Sequence, residues 1–180
     1  FVDDHISKYA QRLAKLLAAS GINYLKLAGA ALFDRVGPDK DKSKQIFLPV
    51  LDDAFCTQSS GIFLRILAHA VLSADERAQW RSLDGSPAWR RQWLLGRACL
   101  KEAVRHWLAR EAGVLVHPAD IVVTRESGGA PCVDGLWCAN LPVPAVSLSH
   151  NGRSCIAAVV APGYRVGVDQ EDLGRPMQPQ

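Results

Sequence analysis

VSLSHNGRSCIAAVVAPGYRVGVDQED, residues 146–172, is a run of extended apolar segments separated by turns. Val143 to Ser149 reads as extended, Asn151-Gly152 as a tight turn, and Cys155 to Ala161 as an apolar strand. Pro162-Gly163 turns the chain again, and Tyr164 to Glu171 reads as a last strand. Strands joined by turns this short pair antiparallel. The stretch also gathers polar groups at strand ends: Ser147, Ser149 and His150 at one, Asp169, Glu171 and Asp172 at another.

The sequence before it supplies the partners of such a sheet. Ile121 to Arg125 is β-branched and strand-like, and Glu126 to Pro131 is a glycine-containing turn. A long helix is expected from about Ala88 to Glu111, ended by Gly113. Its stripe of Trp89, Trp93, Gly96, Leu100, Val104 and Trp107 lies on the core. The neighbouring stripe of Arg90, Arg97, Lys101 and Arg105 reads as a solvated face, with a share in an anion site as the alternative. Ser73-Ala-Asp-Glu76 is a capping box that opens a shorter helix, broken at Asp84-Gly85-Ser86-Pro87. Ile62 to Leu72 reads as a buried strand, although periodicity leaves a short helix open. The fold expected is α+β, an antiparallel sheet packed on a long helix.

Upstream, His5 to Ala19 has the spacing of an amphipathic helix, and Asp34 to Lys44 that of a solvated loop. A boundary is placed at Thr57 to Gly61. It divides a partly helical, unassigned N-terminal extension, residues 1–58, from a domain at 59–180. The chain starts at Phe1 without a methionine, so a piece of something longer is expected.

Composition excludes several classes. With 48% hydrophobic and 22% charged residues, 180 residues suffice for one good core or two small ones. A net charge of +3 admits an anionic ligand but does not suggest bulk nucleic-acid binding. The five cysteines form no C-x-x-C and are odd in number, which points to free thiols in a reducing, cytoplasmic compartment. No apolar run is long enough for a membrane helix.

On a strand, Asp169 and Glu171 share a face. Two carboxylates there repel each other unless a cation lies between them, and oxygen-only ligation completed by water and phosphate suits Mg2+. A solvated acidic strand end is the plainer alternative. Ser149 and His150, being adjacent, point to opposite faces, so they make a poor nucleophile and base. A serine hydroxyl, an imidazole and turn amides suit a phosphate better, with a capping serine and an exposed histidine as the alternative.

The ordered set is L-L-G-R-x-x-L-K on a helix, I-V-V-T-R and G-G-A-P, S-L-S-H-N-G, an apolar strand, and V-G-V-D-Q-E. It resembles the Sfp-type 4′-phosphopantetheinyl transferases over about Ile62 to Asp172, and matches their N-terminal half. The resemblance implies transfer of phosphopantetheine from coenzyme A to a serine of an acyl or peptidyl carrier protein domain; the absent methionine and the upstream segment suggest a larger synthase, such as a polyketide or fatty-acid synthase. By position it implies that Asp169 and Glu171 hold Mg2+ and act in catalysis with His150. It further implies that Ser149, His150 and Arg125 hold coenzyme A phosphates, with Arg77 or Arg81 as a substitute for a basic residue of the family.

The departures are specific. The family's Gly-Lys-Pro is Gly129-Ala130-Pro131 here, and the family's early basic positions carry Glu76 and Gln79. The family's later W-x-x-K-E-[SA], source of a third acidic group, would fall beyond Gln180. Lys101-Glu102-Ala103 imitates it, but on the earlier helix. Two other readings follow: an incomplete half that binds coenzyme A, docks a carrier domain or pairs with a second half-domain, and a nucleic-acid binder using the Arg90 to Arg105 stripe.

Overall fold

The computed structural model describes residues 61–171 in full and the backbone of two earlier strands, 31–34 and 47–52. The elements in order are strands β1 (Ala31–Asp34) and β2 (Phe47–Asp52), and helices α1 (Ile62–Val71), α2 (Ala74–Ser82) and α3 (Pro87–Glu111). Strands β3 (Val122–Arg125), β4 (Pro131–Asp134), β5 (Ala145–His150) and β6 (Ser154–Val160) follow. Short 3-10 turns cover Pro118–Asp120 and Leu136–Ala139.

The expected helix at His5 to Ala19 lies outside the described residues. Ile62–Val71 is a helix, not the buried strand expected. Its buried positions, Ile66, Leu67, Ala68, Ala70 and Val71, include the i, i+4 pairs Ile66–Ala70 and Leu67–Val71, while Arg65 and His69, also four apart, are less buried. The capping box forms as read: the Ser73 hydroxyl accepts from the Glu76 N–H, and a Glu76 carboxylate oxygen accepts from the Ser73 N–H.

Helix α3, 25 residues long, is the spine. Ser86 caps it and Pro87 takes the first turn, where a missing N–H costs nothing. Leu94, Leu95, Leu100 and Leu108 are at most 1% exposed, and burying each stabilises by about 2 kcal/mol. The helix lies on a sheet of order β1-β2-β6-β5, antiparallel at every pairing. The approach is close at Gly96, where an added Cβ would lie 3.1 Å from Leu148 Cδ2.

Two strands from the stretch read as an extension are thus hydrogen-bonded into the central sheet, β2 directly to β6. β3 and β4 form a separate hairpin, closed by a turn in which Gly129 takes φ 84°, a conformation glycine adopts at little cost. The four cysteines among the described residues are free thiols.

The last strand expected, Tyr164 to Glu171, does not form a ladder. Its N–H groups at Val168 and Gln170 donate to serine hydroxyls rather than to carbonyls. A chain with its donors satisfied by side chains is extended without being part of the sheet.

Candidate functional site

The pairing of β5 with β6 sets two faces. Leu148 meets Gly96 of α3, and Cys155 packs beside Gln92 of α3, so these residues face the helix. Alternation then turns Ser147, Ser149 and Ser154 to the opposite, outer face. Residues 168–170 lie along that face. The Val168 N–H donates to Ser147 Oγ at 3.1 Å, and the Gln170 N–H donates to Ser149 Oγ at 3.1 Å. The Ser149 hydroxyl proton goes to Asp169 Oδ1 at 3.0 Å, an oxygen that also accepts the Gln170 N–H at 2.8 Å.

Gln170 is bound at its other end too. Its Nε2 donates to Ser154 Oγ at 2.6 Å, while Ser154 donates onward to Asn151 Oδ1 at 3.1 Å. Gln170 Oε1 is buried with no hydrogen-bond partner, a state that costs about 1–3 kcal/mol.

The second polar centre is Glu76, only 4% exposed at the junction of α2, α3 and β3. It accepts from the Ser73 N–H, from Lys101 Nζ and from the Val123 N–H, and lies 3.8 Å from Arg97 Nε. Lys101 is fully buried and also donates to the Val71 carbonyl at 2.8 Å. Burial pushes its amine down from the ordinary lysine range, against the pull of Glu76. Arg97 lies over the Trp93 ring, 3.2 Å from its centroid. Burial lowers its pKa to about 10, opposed by Glu76 and assisted by the positive charge of Arg125. The stripe read as a solvated face is therefore half interior. Lys101 is core and Arg97 is stacked, whereas Arg105 is partly exposed and paired with Glu102 at 2.6 Å.

The residues expected from sequence divide as follows. Ser149 and Asp169 are brought together, and Glu171 follows on the same extended stretch, exposed. Asp172 lies outside the described residues. His150 is exposed at the end of β5, on the opposite face from Ser149. Arg125 is exposed on β3, beyond Val123 and the Glu76 centre. Arg77 donates to the Leu72 carbonyl, capping α1. Glu102 is buried and held by Arg105 and by His106 Nε2 at 3.4 Å. A cavity of about 760 Å3, lined by Leu115, His117, Asp120, Asp134, Leu136 and Trp137, opens at the far end of the β3–β4 hairpin from Arg125. It includes none of these residues.

The donors fit Mg2+ chemically: two carboxylates, hard oxygen ligands, both exposed. Among the described residues no group of three His, Cys, Asp or Glu is placed to hold a metal by itself. A cation there would take oxygens from water or phosphate as well, as Mg2+ commonly does. Sequence reading missed Gln170, Ser147 and Ser154 as partners of the acidic stretch. The available signal was Ser147-x-Ser149, two hydroxyls at strand spacing, ahead of an acidic extended segment.

No protein-family model matches the chain, and no curated protein matches it either. Solved structures do. A holo-(acyl-carrier-protein) synthase from Bacillus anthracis str. Ames, in complex with CoA (3′,5′-ADP), superposes with a TM-score of 0.50 at 21% identity, over 64% of this chain and 93% of that one. Helicobacter pylori holo-[acyl-carrier-protein] synthase, in complex with coenzyme A, gives a TM-score of 0.49 at 20% identity, over 65% of this chain and 99% of that one. At such identity the likeness is one of fold. The α+β architecture, an antiparallel sheet packed on a long helix, resembles that of the Bacillus anthracis holo-(acyl-carrier-protein) synthase. Among the described residues no helix is long and apolar enough to cross a membrane.

Proposed function

We propose that the chain works in transfer of 4′-phosphopantetheine from coenzyme A to a serine of an acyl or peptidyl carrier protein domain, as an Sfp-type transferase. The observation that carries the reading is the joining of two sequence elements: S-L-S-H and V-G-V-D-Q-E meet through Ser149 and Asp169, 3.0 Å apart. The likeness to a holo-acyl-carrier-protein synthase supports the reading at the level of fold.

In the reaction proposed, the carrier serine oxygen bonds to the pantetheine phosphorus and the pyrophosphate P–O bond breaks. Adenosine 3′,5′-bisphosphate and a proton are released. Mg2+ held by Asp169 and Glu171 would supply charge neutralisation of the pyrophosphate. Arg125 and His150 are exposed groups suited to phosphate oxygens. Arg77 donates to the Leu72 carbonyl, which occupies part of its guanidinium.

A second reading is an incomplete half that binds coenzyme A or docks a carrier without turnover. Glu102, the nearest imitation of the family's third acid, is locked to Arg105 and His106, which favours this alternative. Incubation with coenzyme A, Mg2+ and an apo-carrier protein separates the readings: a carrier gaining one phosphopantetheine by mass spectrometry supports the transferase. Mg2+-dependent coenzyme A binding by calorimetry without transfer, beside an active control enzyme, selects the half-domain; no coenzyme A binding removes the transferase and the coenzyme A-binding half, and no binding of the apo-carrier beside it removes the docking half. Asp169→Ala is expected to abolish the Mg2+-dependent part of binding with the fold intact by circular dichroism. Unchanged affinity in that variant sinks the metal assignment.

A further inference from the structure

We propose that Gln170 is a positioning residue, which clamps the acidic stretch to the outer face of the sheet so that Asp169 is held with one carboxylate oxygen committed and the other left for a cation. The inference rests on the metal reading of the previous section and assigns a role to a residue that reading does not use.

Gln170 bridges two strands. Its N–H reaches Ser149 on β5, and its side-chain amide reaches Ser154 at the start of β6. The amide's orientation follows from its partner. Ser154 spends its hydroxyl proton on Asn151 Oδ1, so it can only accept from Gln170, and Gln170 must present its NH2. Asn151 Oδ1 is itself fixed by the N–H groups of Arg153 at 3.2 Å and Ser154 at 3.0 Å. A chain of hydrogen bonds therefore runs from the β5–β6 turn through Ser154 to Gln170, and from the Gln170 N–H to Asp169 Oδ1.

A glutamine that serves only to fill space at position 170 is poorly suited, because its Oε1 is buried without a partner. The amide NH2 is the part in use. Metal-bound carboxylates depend on such outer hydrogen bonds, and their loss typically weakens metal binding by ten- to a hundredfold.

The test measures Mn2+ binding by electron paramagnetic resonance with coenzyme A present, together with thermal melting, for the wild type, Gln170→Val and Ser154→Ala. Each variant is expected to raise the Mn2+ dissociation constant about tenfold. The double variant should add little to either single one, since both cut the same link. Gln170→Val should melt no lower than the wild type, because valine removes the orphaned oxygen. Wild-type Mn2+ affinity in Gln170→Val overturns the proposal, and does so while the metal reading stands, provided Asp169→Ala has lost Mn2+. If Asp169→Ala binds Mn2+ as the wild type does, the metal reading fails and this inference fails with it.

Discussion

Glu76 and Asp169 are both carboxylates that accept a main-chain N–H and a side-chain donor, yet they serve different ends. Glu76 is buried and its two oxygens are shared among Ser73, Lys101, Val123 and Arg97. Asp169 is exposed, and only Oδ1 has partners among the described residues. A carboxylate whose hydrogen-bonding capacity is filled by its own chain is architecture. One that is oriented by half of its capacity and open at the other half is arranged to receive something. The contrast shows why position in a motif alone does not separate the two: both acids stand at places where the Sfp-type resemblance anticipates function.

The hardest way to break this comparison is to remove Glu76. Glu76→Ala leaves Lys101 buried without its counter-ion and the Val123 N–H without its acceptor. A loss of about 3–5 kcal/mol of stability is expected, read from urea denaturation. Replacing both partners by apolar residues, Glu76→Leu with Lys101→Met, should recover the part of the loss due to the unpaired lysine, while the part due to the Ser73 and Val123 N–H groups remains. A Glu76→Ala protein as stable as the wild type shows that the pair is not structural.

Ser149→Ala tests the other side at smaller cost. The serine was expected to grip a coenzyme A phosphate, whereas its hydroxyl donates to Asp169 and accepts from Gln170. The variant should lose about 1 kcal/mol of stability and roughly tenfold in the Mg2+-dependent part of coenzyme A affinity. Affinity measured in EDTA should hardly move. If affinity in EDTA falls by the same factor, Ser149 contacts the ligand directly and the clamp is secondary.

Much of this was legible in the sequence. The helix α3, its Ser86-Pro87 start, the Ser73–Glu76 capping box and the β5–β6 hairpin follow from local rules that tertiary packing did not override. Ile62–Val71 was misread because an aliphatic-rich segment of ten residues satisfies either element until its neighbours are known. Residues 164–171 were misread for a different reason. Their composition is that of a strand, but the hydroxyls of Ser147 and Ser149 took the N–H groups a ladder needs. For the site, residue types announced Asp169 and Ser149, while Lys101 and Gln170 became visible only through burial and partners. A lysine on a basic stripe reads as solvated, and nothing in the local sequence announces Glu76, 25 positions earlier in the chain, as its counter-ion.

Glu102 gives the mildest test, because it falls between the two extremes. It is buried like Glu76, yet its partners Arg105 and His106 are 29% and 41% exposed at the side chain. Burial alone would raise its pKa; the hydrogen bond from His106 and the charge and hydrogen bonding of Arg105 outweigh it, and the net shift is downward from 4.5. A carboxyl with a depressed folded pKa contributes stability above the unfolded value, near 4.5, and loses it as pH falls through the folded value. Glu102→Gln should therefore be less stable than the wild type at neutral pH by about 1 kcal/mol, a small figure because the partners are screened by water. The two stability curves should converge as the pH is lowered from 4.5. A gap that persists in acid means the glutamate acts through packing and not through its charge. A gap absent at pH 7, with Mg2+-dependent coenzyme A affinity reduced, moves Glu102 to the open class with Asp169 and makes it the third acid after all.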